Sequence, residues 1–142
     1  MEIAHNRKKT FMLALASLEE AVNHFKQQNA KNSFAEYRRS RDSLIQRFEY
    51  CSDIFWKFLN DYLRHHMTIE AEIARLKIIF KESTAVGLIT NDELLLCNRL
   101  IKDRNRTSHT YHEQLAEHIA HKISSYYALM STIATRLTAL ES

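Results

Sequence analysis

Residues 103–111 read Asp103-Arg104-Asn105-Arg106-Thr107-Ser108-His109-Thr110-Tyr111, where one predicted helix ends and the next begins. Leu94, Cys97, Ile101, Arg104 and Ser108 follow steps of three and four, so Arg104 lies inside the apolar stripe of its own helix. A guanidinium stays ionised in practically any protein environment, and a core-facing stripe is a costly place for one unless an anion meets it. His109 follows near the helix end as the one nearby side chain able to exchange protons around neutral pH. A fixed cation beside a titratable imidazole is what cleavage or transfer of a phosphodiester requires. The alternative is that Arg104 pairs with a carboxylate such as Glu49 or Asp53 and staples two helices, because structural ion pairs imitate functional sites. Arg104 and His109 open in one cleft without a neutralising carboxylate would favour the first reading. A guanidinium sealed against an acidic side chain would remove it.

Outward from that stretch the chain reads as helical throughout. It has 142 residues, a single glycine (Gly87) and no proline, and is 45% hydrophobic. Strands need turns and turns draw on Gly and Pro, so a sheet-rich fold is disfavoured and one all-α domain over residues 1–142 is expected. A net charge of +3 and a pI near 8.9 permit an RNA or acidic-protein partner without demanding one. Cys51 and Cys97 both fall in apolar helical patterns and read as small core residues of a reduced, cytoplasmic protein. No signal peptide is visible, and charges interrupt every apolar run before the ~18 residues a membrane span needs.

The helices follow in order. Phe11, Leu15, Leu18, Val22 and Phe25 mark the first, from about Ala4 to Gln28. Ser33 and Glu36 form a capping box for a long second helix reaching about His66. Its apolar band (Leu44, Phe48, Cys51, Phe55, Leu59, widened by Ile45, Trp56 and Leu63) is broad enough to touch more than one neighbour. Arg38, Arg39 and Arg41 crowd its first turns, where the helix dipole disfavours cations, which points to a nucleic-acid backbone or an acidic partner, with a solvated face the better account of Arg38 and Arg39. Thr68 and Glu70 open a third helix, and Gly87-Leu88 reads as its left-handed cap with a hydrophobic contact. Thr90 with Glu93, and Thr110 with Glu113, are capping boxes for a fourth and a fifth helix. The fifth carries Ile119, Ile123, Tyr126, Met130, Ile133, Leu137 and Leu140 as a stripe to the C-terminus. Five amphipathic helices on short connections predict an antiparallel up-and-down bundle.

The pattern Arg104-x-x-x-x-His109-x-Tyr111 resembles that of HEPN ribonucleases, particularly HepT-like toxins. The whole string 103–111 resembles the branch known as nucleotidyltransferase substrate-binding proteins. Two further segments are similar to that branch: Gln46-Arg47-Phe48-Glu49-Tyr50, continuing to Trp56-Lys57 and Tyr62-Leu63, and Gly87-Leu88-Ile89. The sequence departs from the pattern at Asp53, where Glu is frequent, around Leu94–Leu96, where an aromatic is usual, and at His112, where Asn is frequent.

The resemblance implies a metal-independent endoribonuclease without a cofactor, in which the ribose 2′-hydroxyl attacks the adjacent phosphate. His109 would be the acid or base and Arg104 would offset charge on the phosphate. Asn105 would orient His109 or bond a phosphate oxygen, and Arg106, Lys102 and Arg41 would contact RNA. It also implies a two-fold homodimer with two motifs facing one cleft, and an MNT-type nucleotidyltransferase antitoxin that neutralises the toxin, by AMP transfer to Tyr111 or by steric blocking. The alternative function is a non-catalytic subunit presenting a substrate or nucleotide to that nucleotidyltransferase. The chain has no glycine-rich phosphate loop and does not itself look like the transferase. His118 and His121, one turn apart without an obvious third ligand, read as a solvated face rather than a metal site.

Overall fold

Local signals set the helix ends. Ser33 Oγ accepts from the Glu36 backbone N–H (3.1 Å) and the Glu36 carboxylate accepts from that of Ser33 (3.4 Å), the expected capping box. Thr90 and Glu93 form a second, and Gly87 takes φ +82° to close the preceding helix. There the Leu88 N–H reaches the Ser83 carbonyl and the Gly87 N–H that of Thr84, a Schellman pair with Leu88 folded into the core. The computed structural model describes residues 2–28, 32–67, 76–109 and 112–141. In them run α1 (Glu2–Lys26), α2 (Phe34–Met67), α3 (Leu76–Ala85), α4 (Asn91–Arg106), a 3-10 turn (Thr107–His109) and α5 (Glu113–Ala139). The predicted start of the third helix at Thr68 and Glu70 lies outside the described residues. The fold is the expected all-α antiparallel bundle, and no described helix is long and apolar enough to cross a membrane.

The long α2 packs against every other helix, which its wide apolar band anticipated. Phe11 of α1 stacks on Phe58 with ring centroids 4.7 Å apart, and Phe55 bridges Phe11 and Phe80 of α3. On the other side Phe48 stacks on Tyr126 of α5 and Cys51 faces Met130. Burial pushes both cysteine thiols up to about 12, so they behave as apolar filler. The α5 stripe is buried as far as Leu137; Leu140 is exposed, because the helix stops at Ala139.

Two polar expectations need correction. Arg41 is not a nucleic-acid contact: it is 2% exposed, and its guanidinium donates to Glu113 (2.6 Å) and Glu117 (3.1 Å) of α5. Glu117 also accepts from Tyr37, whose hydroxyl is pushed up to about 12 by burial and by that carboxylate. The N-cap of α5 is His112, without a side-chain cap bond, and Thr110 lies outside the described residues.

Glu93 links helix capping to packing. Beyond its box with Thr90 it receives both terminal nitrogens of Arg136 on α5, at 2.7 and 2.8 Å. Arg136 holds the carboxylate below its ordinary 4.5. A depressed folded value means stability that is present above the unfolded value and disappears as pH falls through the folded one. Glu93→Gln is therefore expected to lower the melting temperature clearly at pH 7, with the gap to the parent chain closing as acid carries the pH below the ordinary 4.5 and through the depressed folded value. Paired thermal melts at pH 7 and across an acid series check this; a gap that stays equal throughout contradicts it.

Candidate functional site

The last turns of α4 send consecutive residues in three directions. Arg104 turns to α2. Its Nε and Nη2 both reach the Asp53 carboxylate at 3.0 Å, and Nη1 reaches Glu49 at 3.3 Å and Thr107 Oγ1 at 3.1 Å. Glu49 and Asp53 are one helical turn apart, which is why one guanidinium spans both. Four of its five N–H groups are thus engaged. The hydrogen bonds it donates to Asp53 raise the guanidinium's pKa against the opposing effect of burial. The side chain is still 25% exposed, so the group is neutralised without being sealed off. Thr107 completes the knot by donating to the Arg104 carbonyl at 2.6 Å.

Asp103 turns to α5 and is 3% exposed. It accepts from the Tyr126 hydroxyl at 2.5 Å and faces Arg106 at 3.5 Å and Lys122 at 3.9 Å. Tyr126 is raised well above its usual value, by burial first and Asp103 second. Arg106, expected at RNA, is therefore partly committed to a buried carboxylate. Nothing in the local pattern assigns Asp103 a role; the signal for it is Tyr126, a tyrosine inside an apolar stripe whose hydroxyl needs a partner.

Asn105 and Lys102 take the third direction, into a groove between α3 and α4. His109 is exposed on the 3-10 turn, and Ser108 Oγ bonds the Asn105 carbonyl at 3.1 Å. Tyr111 lies outside the described residues. Of the predicted set, Arg104 is thus joined to the carboxylates named as its alternative partners, while Arg41 lies apart at the α2–α5 contact. His118 and His121 are exposed, His121 beside Glu117 and the Phe25 ring. Among the described residues no group of three side chains could hold a metal.

Residues 6–139 match the family model described as nucleotidyltransferase substrate binding protein like. The chain belongs to that family. No curated protein matches the sequence. A solved structure from Thermus thermophilus is similar to this substrate-binding-protein-like chain at 35% identity and TM-score 0.75, covering 89% of it and 98% of the other. HI0074 from Haemophilus influenzae, described as the fold of a substrate binding domain of a nucleotidyltransferase, aligns at 23% identity and TM-score 0.74 over 92% and 98% of the two chains. A tri-AMPylated Shewanella oneidensis HEPN toxin, in complex with an MNT antitoxin, aligns at 16% identity and TM-score 0.72 over 98% of each. The last two likenesses concern the fold, which is HEPN-like.

Proposed function

We propose that the chain is the non-catalytic binding partner of an MNT-type nucleotidyltransferase, the second of the two functions set out above. The observation that carries this is the neutralised Arg104. A phosphate arriving there would meet two carboxylates and, among the described residues, a single uncommitted N–H. Two negative charges beside an incoming anion cost more than one hydrogen bond returns. Membership of the substrate-binding-protein-like family supports the same reading, as do the nucleotidyltransferase named with HI0074 and the MNT antitoxin bound to the Shewanella toxin. Co-expression with the partner transferase and size-exclusion chromatography test it. A stable complex is expected, and growth of the host is expected to be unaffected by the chain alone. Growth arrest relieved by the transferase contradicts the proposal.

One observation favours the ribonuclease reading: His109 is exposed at the end of the 3-10 turn whose Thr107 bonds Arg104. In that mechanism Arg104 leaves Asp53 and, across a two-fold homodimer, meets the phosphate while His109 moves the proton of the 2′-hydroxyl. AMP transfer would then act as the off-switch. The Tyr111 phenolic oxygen bonds the α-phosphorus of ATP, pyrophosphate leaves and the phenolic proton goes to solvent.

A further inference from the structure

Nine described cations, Arg7 and Arg136 among them, face a carboxylate within 4 Å. Lys77, Lys81, Arg99 and Lys102 do not: none makes an ion pair with a described residue, and all four line the groove between α3 and α4. Their spacing makes this costly. Lys77 and Lys81 are i,i+4 on α3, and Arg99 and Lys102 are i,i+3 on α4, so each pair repels on its own helix. The two pairs then confront each other across the groove, with no carboxylate among its described lining residues. Such a concentration of one sign raises the local concentration of anions.

The groove is more than a charged patch. It is an open cleft of about 720 Å³, the size of a site for one small molecule rather than a track along the bundle. Its floor is apolar, from Phe80, Leu94 and Ile101. Asn98 and Asn105 add amide groups, each able both to donate and to accept. Cations for phosphates, an apolar floor for a flat ring and amides for its polar edge describe a nucleotide. We infer that the α3–α4 groove binds a nucleoside polyphosphate, with Asn105 as the motif residue that reaches it. The use of that ligand rests on the reading of the chain as a transferase's partner. Its binding does not, since the chain alone suffices for the measurement.

The experiment is calorimetric titration of the full chain with ATP at low salt, alongside inorganic tripolyphosphate and a single-stranded RNA oligomer. ATP is expected to bind at least tenfold more tightly than tripolyphosphate. Lys77→Gln with Lys81→Gln, and separately Arg99→Gln with Lys102→Gln, are each expected to weaken it at least tenfold, with unchanged helicity by circular dichroism. Asn98→Ala is expected to reduce the preference for ATP over tripolyphosphate. Absence of ATP binding, equal binding of tripolyphosphate, or binding of the RNA oligomer alone each overturns the inference. Complex formation with the transferase, measured separately, stands or falls independently of these outcomes.

Discussion

Phe55→Ala is expected to lower stability by about 3–5 kcal/mol, the usual loss for truncating an enclosed aromatic. For a chain of this length that is a fall in melting temperature on the order of 10 °C. Phe55 is fully buried, and its ring lies between Phe11 at 5.8 Å and Phe80 at 6.2 Å, so it joins α1, α2 and α3 at one point. Neighbours on three helices cannot all move inward to fill the space, which places the cost at the upper end. Phe34, 67% exposed at the start of α2, is the control: Phe34→Ala is expected to change stability by less than about 0.5 kcal/mol. Thermal melts of the two variants check the pair. Similar losses for both would contradict the position of the core.

Asp103→Ala is the second large effect, at about 3 kcal/mol. It removes the acceptor of the enclosed Tyr126 hydroxyl and leaves Arg106 and Lys122 without the carboxylate they face. An unpaired buried hydroxyl carries its full desolvation cost, whereas losing both members of the bond costs much less. In combination with Tyr126→Phe the losses should therefore fall short of additivity by roughly 1–2 kcal/mol. Chemical denaturation of the four chains in the cycle measures this. Strict additivity would show that the two side chains do not hold each other. The first residue of the motif is thus structural, a tie between α4 and α5 at the point where α4 ends.

How much the sequence disclosed depended on the range of each interaction. Ser33 with Glu36, Thr90 with Glu93, and Gly87 with Leu88 act within a few residues, and their caps are where the pattern put them. The pattern put the start of α5 at Thr110, which lies outside the described residues; the N-cap is His112, and Glu113 binds Arg41, 72 residues away in sequence. No local rule weighs that partner. Arg41 misled for the same reason: a cation in the first turns of a helix suggested an external anion, and the anion came from α5. Arg104 was legible in part, because Glu49 and Asp53 share a face of α2, one turn apart and beside the apolar stripe. Sequence periodicity could name these carboxylates but could not decide between them and a phosphate. The α3–α4 groove was invisible for a different reason, since Lys102 and Asn105 become part of it only when α3 brings Lys77 and Lys81 opposite.

The state of Arg104 carries the functional account, and RNA is the direct probe of it. Purified chain at micromolar concentration is incubated without metal with total RNA and with a labelled oligomer. The account predicts intact RNA with the parent chain and with His109→Ala alike. Cleavage leaving 2′,3′-cyclic ends, abolished by His109→Ala and by Arg104→Ala while both variants remain folded, would contradict it.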